Sequence, residues 1–440
     1  MPAKSITMAA PMKASSYLPE VKEQYEHLPY PPVDPLDEHK RLQRTWLEDL
    51  PMMNHYCYQG KQTFGDGFKV LVAGGGTGDA TIYLAEQLRH TNARIVHLDL
   101  SSASIKIAQH RAAIRKLTNI DWVQESILNI GSLNLGQFDY INCVGVLHHL
   151  ADPDAGLRAL RSALNSTGAI GMMVYGEIGR TGVYQMQKLL RLVNDGCGER
   201  QKIDHAKEVL HSLPVSNWYR MAGNLYTDHD NGDAGIYDSL LHSQDRAYTV
   251  TELFEWLADG HGFTISLSDV HRGRFPYLPA MTLKPDAHAL RARLPGMSLR
   301  AQYAMSELLM GDLTRHNFYL TQSSAAQAPY AAPDYIPFFF HENLTGPGVA
   351  PIFAPKEGPT ILHHEFLGLT TPVDAGKYSG MIMRHLDGKR SFGQIFELVR
   401  AEPACRAAAP DDATLFADFR PVYEALNAIE RLLLRHASLA

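Results

Sequence analysis

Between residues 68 and 177 short apolar runs alternate with amphipathic stretches. The runs are FKVLVAG (68–74), ARIVHLDL (93–100), IDWVQES (120–126), FDYINCVGVL (138–147) and AIGMMVYGE (169–177). Segments such as ATIYLAEQL and ASIKIAQHRAAIRKL separate them, with apolar residues at helical spacing. Short unbroken runs between helices predict a parallel sheet covered on both faces, an α/β fold. Such a sheet collects its ligand at the carboxyl ends of its strands. The chemistry is therefore expected just after each run.

Outside this block the pattern is less regular. Five prolines between Pro19 and Pro35 predict an extended arm able to cap a pocket, followed by a helix over Asp37–Leu50. After 180 a helix, VYQMQKLLRLV, leads into a polar loop, and 196–246 reads as an insertion. FTISLSDV (263–270) and RHNFYLTQ (315–322) are the expected last strands, with a second, helical insertion at about 272–312. An Ala- and Pro-rich break, SSAAQAPYAAP, precedes the tail. The expected division is an arm and helix (1–50), a catalytic domain (51–325) and an accessory domain (334–440).

With 440 residues, 45% of them hydrophobic and 20% charged, the chain is long enough for more than one core. A net charge of −6 gives no footprint for nucleic acid. The four cysteines, Cys57, Cys143, Cys197 and Cys405, are too far apart for a metal or disulfide framework. No apolar run reaches the length needed to span a bilayer, and the first residues lack a signal-peptide core. A cytoplasmic protein without membrane or nucleic-acid partners is expected.

Gly74, Gly76 and Gly78 stand between the first strand and a helix starting near Asp79 or Ala80. A glycine turn there lets backbone amides approach a ligand closely, although it also serves as a plain tight connection. A dinucleotide fingerprint needs a small residue three positions after its second glycine. Counted from Gly76 or Gly78 that position is Asp79 or Thr81. A carboxylate beside the loop repels a pyrophosphate and tolerates a cationic ligand without phosphate, which disfavours NAD. Asp99 ends the second strand 21 residues after Gly78, where a carboxylate can accept hydrogen bonds from ribose hydroxyls. It could otherwise cap the next helix, but Ser101 or Ser102 can do that and leave Asp99 free.

VLVAGGGTGDATIYLA, LDLSSASIKIA and FDYINCVGVLHHLADP together resemble the successive signatures of class I S-adenosylmethionine-dependent methyltransferases. The likeness is to a bacterial group often fused to tetratricopeptide repeats or a regulatory domain. YEHLPYPP in the arm and DSLLHSQDRAYTVTELFEWL further on resemble the same group. The resemblance implies a Rossmann-like seven-stranded sheet, with the three glycines around the methionine end of S-adenosyl-L-methionine and Asp99, followed by Leu100, on its ribose. Ser126 or adjacent Glu125 is the expected contact to the adenine, and Val144 is a further expected cofactor contact. Two departures stand out. Val72 occupies a position that is acidic in many members, a contact that Asp79 could take over, and Ser126 replaces the usual aspartate ending the third strand.

His148 and His149 follow the fourth strand, at the rim where a methyl group would be presented. A histidine there can orient or deprotonate a nucleophile, or simply pack or cap the next helix. Glu177 is a third candidate base. Tyr175, Arg180, Tyr184 and His242 are expected substrate contacts, although Glu177 and Arg180 could merely pair on one helix face. The missing [DN]PP[YF] sequence disfavours nucleobase and glutamine methylation. No metal site is expected, because adjacent residues of His363-His364-Glu365 would point to opposite faces of a strand. The tail, with LDGKRS before an amphipathic helix, resembles small winged-helix-like domains and is equally consistent with a dimerisation or regulatory module. The expected activity is in-line methyl transfer to an O, N or S nucleophile of a small molecule or a protein side chain. The rivals are a degenerate cofactor-binding regulator and an NAD-dependent oxidoreductase.

Overall fold

The computed structural model describes residues 19–65, 67–268, 277–340, 343–364 and 369–439. Twelve strands are defined in these: β1 (Lys69–Ala73), β2 (Arg94–Asp99), β3 (Ile120–Gln124), β4 (Phe138–Val144), β5 (Leu164–Gly176), β6 (Ala247–Tyr248), β7 (Thr264–Leu267), β8 (Arg315–Thr321), β9 (Tyr335–Phe339), β10 (Thr360–His364), β11 (Leu369–Val373) and β12 (Leu432–His436). Contacts divide the chain into two compact units. The first comprises Met1–Asp49, Phe64–Leu253 and Gly311–Gln322; the second comprises Leu50–Thr63, Phe254–Met310 and Ser323–Ala440.

The first unit is built on a mostly parallel sheet in the order β3-β2-β1-β4-β5-β8, with β6 paired to the carboxyl end of β5. β1 to β5 run parallel, and β8 runs antiparallel against β5. This is the Rossmann-like α/β architecture expected from the alternating runs. Its central strands are apolar on both faces because helices cover both: Val70, Leu71, Val72, Ile141 and Ile170 are fully buried. Helix starts are set locally. Ser101 caps the helix Ser102–Ile114 by accepting from the Ser104 amide, and Asp152 with Pro153 opens the helix Pro153–Ala163.

The amino-terminal segment departs from expectation. Pro19–His27 is helical, whereas the helix expected over Asp37–Leu50 does not form. A single 3-10 turn, Pro35–His39, is followed by irregular chain, and a helix begins only at Leu50. Tertiary partners override propensity here. Glu38 is buried against Arg111, and the Leu47 carbonyl accepts from the hydroxyls of Tyr140 at 2.7 Å and Tyr319 at 3.2 Å. The segment after β5 folds as helices, Thr181–Val193 and Glu199–Ser212 among them, with a small core of its own that includes Val183, Met186, Leu190 and Tyr219.

The second unit takes in more of the chain than the tail. β9 and β12 pair antiparallel, as do β10 and β11, and the helices Phe392–Ala401 and Asp412–Ala428 pack in its core. The LDGKRS turn does precede a helix: Asp387 accepts the amides of Lys389 and Arg390, and Ser391 caps Phe392–Ala401. Leu50–Thr63 belongs to this unit because buried His55 accepts the Leu434 amide of β12 at 3.0 Å and the Gly60 carbonyl accepts the His436 amide at 2.8 Å. Of the histidine-glutamate cluster at 363–365, Glu365 lies outside the described residues, and His363 pairs with Thr370 across β10 and β11.

Candidate functional site

The glycine turn connects β1 to the helix Asp79–Gln87. Gly74, Gly76 and Gly78 all have positive φ, which only glycine adopts at little cost. At Gly76 a Cβ would also stand 2.9 Å from the Tyr30 carbonyl oxygen, so the arm lies directly on the loop. Thr77 donates to the Pro31 carbonyl, Ser101 to that of Tyr25, and Glu26 accepts the Ser102 and Ala103 amides at the next helix start. The sequence suggested a cap over a pocket; the arm covers the loop itself.

Asp99 ends β2 beside this turn, but it is not free as expected. Its Oδ2 accepts the Gly76 amide at 2.7 Å and its Oδ1 accepts the Ser101 amide at 2.8 Å. Burial raises its pKa. Each oxygen keeps a second lone pair, so the carboxylate ties the glycine loop to the second strand and can still accept from a diol. Leu100 and Val144 are half-buried at the ends of β2 and β4. Ser126 is buried and caps the 3-10 turn Ile127–Ser132, and adjacent Glu125 accepts from the Ser126 amide and from Asn129.

Asp79 does not act as an unopposed anion. Its Oδ1 pairs at 2.6 Å with buried Arg111, which also binds the Thr77 carbonyl and Glu38. The neutralised carboxylate removes the repulsion argument against a pyrophosphate, and it gives Asp79 a structural role. Val72 points into the sheet core, in register with Asn142. Asn142 donates to Glu48, a fully buried carboxyl from the irregular segment whose pKa burial pushes up to about 7. An acid thus lies beside the Val72 position without being at it. Sequence reasoning missed Glu48, because nothing local marks it.

At the ends of β4 and β5 a buried polar cluster assembles. His148 and His149 form a 3-10 turn with Leu147. They are buried rather than at an open rim, and Asp152, not either histidine, caps the following helix. His148 lies 3.9 Å from the Tyr175 ring, and His149 stacks on His242 at 3.9 Å and 25°. Arg180 is 3% exposed and its guanidinium sits 3.6 Å over Tyr175. The Glu177–Arg180 pair does not form: Glu177 is exposed, and the buried guanidinium turns instead to Asp245 at 3.7 Å. Tyr184 lies beside Arg180, with the two 5.7 Å apart from charge to ring. Glu177 has no described contact with either histidine.

Further residues, not expected from the sequence, complete the cluster. Asp238, on a π-helical turn Tyr237–Leu241, accepts from Tyr25 at 2.9 Å and Tyr175 at 3.4 Å. Tyr30 donates to Asp228 at 3.4 Å. The signal was present, since Tyr25 and Tyr30 belong to YEHLPYPP and Asp238, His242 and Asp245 to DSLLHSQDR.

Tautomers are set by these partners. His149 Nδ1 lies 3.0 Å from the Gln244 carbonyl, which can only accept, so Nδ1 carries the proton and Nε2 keeps its lone pair. His242 Nδ1 accepts the Gln244 amide, so in the neutral ring Nε2 is protonated, and it has no partner. Burial lowers the pKa of His148, His149 and His242, which keeps them neutral. His148 at both nitrogens, Arg180 at Nε and Nη2, and Asp245 at Oδ1 also lack hydrogen-bond partners. Buried polar atoms without protein partners call for ordered water or a polar ligand to satisfy them. Atoms of His149, Asp238 and His242 come within 4.8 Å of one another, near enough for a metal. Stacked rings, however, direct their lone pairs side by side rather than to one point.

The profile of the methyltransferase-domain family matches residues 71–170, which span the glycine loop, Asp99 and both histidines. An uncharacterized protein of Synechococcus sp. is 31% identical over 320 residues, 71% of this chain and 73% of that one. The ubiquinone biosynthesis O-methyltransferase of Escherichia coli is 26% identical over 199 residues, covering 41% of this chain and 77% of the enzyme. Among solved structures, PKMT2 from Rickettsia typhi in complex with AdoHcy shares the fold, with a TM-score of 0.58 at 14% identity over 89% of this chain and 76% of that one.

Proposed function

Given that the chain belongs to the class I S-adenosylmethionine-dependent methyltransferases, we propose that it moves a methyl group to an O, N or S nucleophile, of a small molecule or a protein side chain, seated against His149. The observation that carries this is the pairing of two sites at one end of the sheet: the glycine loop held by Asp99, and the buried cluster around His149 with its unpartnered donors and acceptors.

The first site suits the cofactor. Gly74, Gly76 and Gly78 keep the loop clear of side chains, Asp99 would offer its remaining lone pairs to the ribose, and Leu100, Glu125, Ser126 and Val144, at the ends of β2, β3 and β4, would flank the rest of the cofactor. When bound, S-adenosylmethionine supplies a methyl group on a sulfonium, and AdoHcy remains after transfer. The chain's own part is alignment, exclusion of water and handling of a proton. His149 serves as the base through its Nε2 lone pair, with Gln244 fixing the ring. Asp238 and Asp245 stabilise the imidazolium that results. His148, Tyr175, Arg180, Tyr184 and His242 orient the acceptor. Exposed Glu177 has no part in this scheme.

Calorimetry with AdoHcy tests the cofactor half. Wild-type protein is expected to bind it, and Asp99→Ala to weaken binding by about tenfold or more, the loss of one charged hydrogen bond. Absence of binding would remove the methyltransferase reading. Binding without methyl transfer to any component of a fractionated lysate would favour the regulatory alternative.

A further inference from the structure

The balance of charge in the cluster bears on the acceptor. Asp228, Asp238 and Asp245 face one guanidinium, that of Arg180. Arg180 is matched by Asp245 at 3.7 Å and lies over the Tyr175 ring. Asp238 is met by two tyrosine hydroxyls and Asp228 by one, all neutral donors, so burial raises the Asp238 pKa and leaves its carboxyl in want of a cation. Tyr25 and Tyr30, both from the arm, thus bring aromatic rings up to two carboxylates whose hydrogen-bond donors carry no charge. The histidines add no positive charge, because burial keeps them neutral. A site with more carboxyl groups than cations, buried at Asp238 and half-exposed at Asp228, and edged by tyrosines, favours a ligand that brings a positive charge.

Resting on the methyltransferase reading, we propose that the acceptor arrives as an alkylammonium group, held between Asp238 and Asp228 among the rings of Tyr25 and Tyr30, and gives its proton to His149. The proton transfer is obligatory, since an ammonium nitrogen has no lone pair. R–NH3+ passes one proton to His149 Nε2 and becomes R–NH2. The nitrogen lone pair then forms the N–C bond while the S–C electron pair stays on sulfur. Both carboxylates also oppose the repulsion between an incoming ammonium and a neighbouring sulfonium. The excess of carboxylates could instead serve the sulfonium alone, and AdoHcy, which is uncharged at sulfur, separates the two cases.

The test is calorimetry on the full chain saturated with AdoHcy, using n-butylamine, n-butanol and butyrate as probes. Butylamine is expected to bind about tenfold or more tighter than the other two, and Asp238→Asn to erase that preference while AdoHcy affinity stays within about twofold. Asp228→Asn, at a half-exposed position, gives the same readout should the Asp238 variant fold poorly. Equal binding of the three probes overturns the proposal. So does a preference for butyrate that Arg180→Met abolishes, or uptake of one Zn2+ or Ni2+ that excludes the amine. Failure of AdoHcy itself to bind overturns the methyl-transfer reading and this inference with it. Binding of AdoHcy without an amine preference overturns this inference alone.

Discussion

Tyr25 donates a 2.9 Å hydrogen bond to Asp238 across 213 residues of sequence. The bond joins the arm that lies on the glycine loop to the π-helical turn beside His149, so the two candidate sites are closed by the same element. Burial and the nearby Asp238 carboxylate raise the Tyr25 pKa well above its ordinary value, which keeps the phenol a donor.

Tyr25→Phe removes that donor and leaves Asp238 one partner short. A stability loss of about 1–2 kcal/mol is expected from the stranded buried acceptor. Activity should fall through a higher KM for the acceptor, with AdoHcy affinity retained. A drop in AdoHcy affinity as large as the loss of activity would show instead that the arm acts chiefly on the cofactor.

Gly76→Ala puts a Cβ 2.9 Å from the Tyr30 carbonyl at a residue with φ of 51°. Left-handed backbone costs a non-glycine residue roughly 1–2 kcal/mol, and the arm must also lift. AdoHcy affinity is expected to fall by more than about tenfold. Faster proteolysis of the arm around Tyr30 would accompany it, and an unchanged cleavage rate would argue against the contact.

Arg111→Met strips a buried cation from Glu38 and Asp79, because Arg111 is 1% exposed and holds both. Breaking a buried pair from one side costs about 3–5 kcal/mol. Urea denaturation measures it; a loss below about 1 kcal/mol, typical of a surface pair, would contradict the assignment.

The pH dependence of stability carries two opposite contributions. Burial depresses the pKa of His55 to about 4 and of His97 to about 3. The unfolded chain therefore binds more protons as pH falls below about 6.5, and stability present above that value is lost on acidification. Glu48, raised to about 7, works the other way: its contribution is present below about 4.5 and lost as pH rises through 7. Thermal unfolding should show His97→Gln flattening the acid limb. Glu48→Gln should be more stable than wild type at pH 8, by up to about 3 kcal/mol, with the advantage gone at pH 4.

Within the first unit, the parallel core and its order of elements were legible in the sequence, since five short apolar runs between helices have few other solutions. The glycine loop and Asp99 were also legible, because a backbone that needs positive φ and a strand-end carboxylate are local requirements. Partnership was not. Local sequence makes Asp79 an anion beside the loop, yet Arg111, 32 positions away, neutralises it. Glu177 and Arg180 had the spacing of a pair, but the chain buries one and exposes the other, and the helix expected over Asp37–Leu50 gives way to tertiary contacts of Glu38 and Leu47. The histidine pair was visible as residues, while its tautomers depend on Gln244 and its charge balance on Asp238, both far along the chain. Sequence alone determined the features that local periodicity and backbone geometry dictate. The tertiary structure decided which charges meet and which are buried, because Coulombic and desolvation energies depend on distance and exposure rather than on order along the chain.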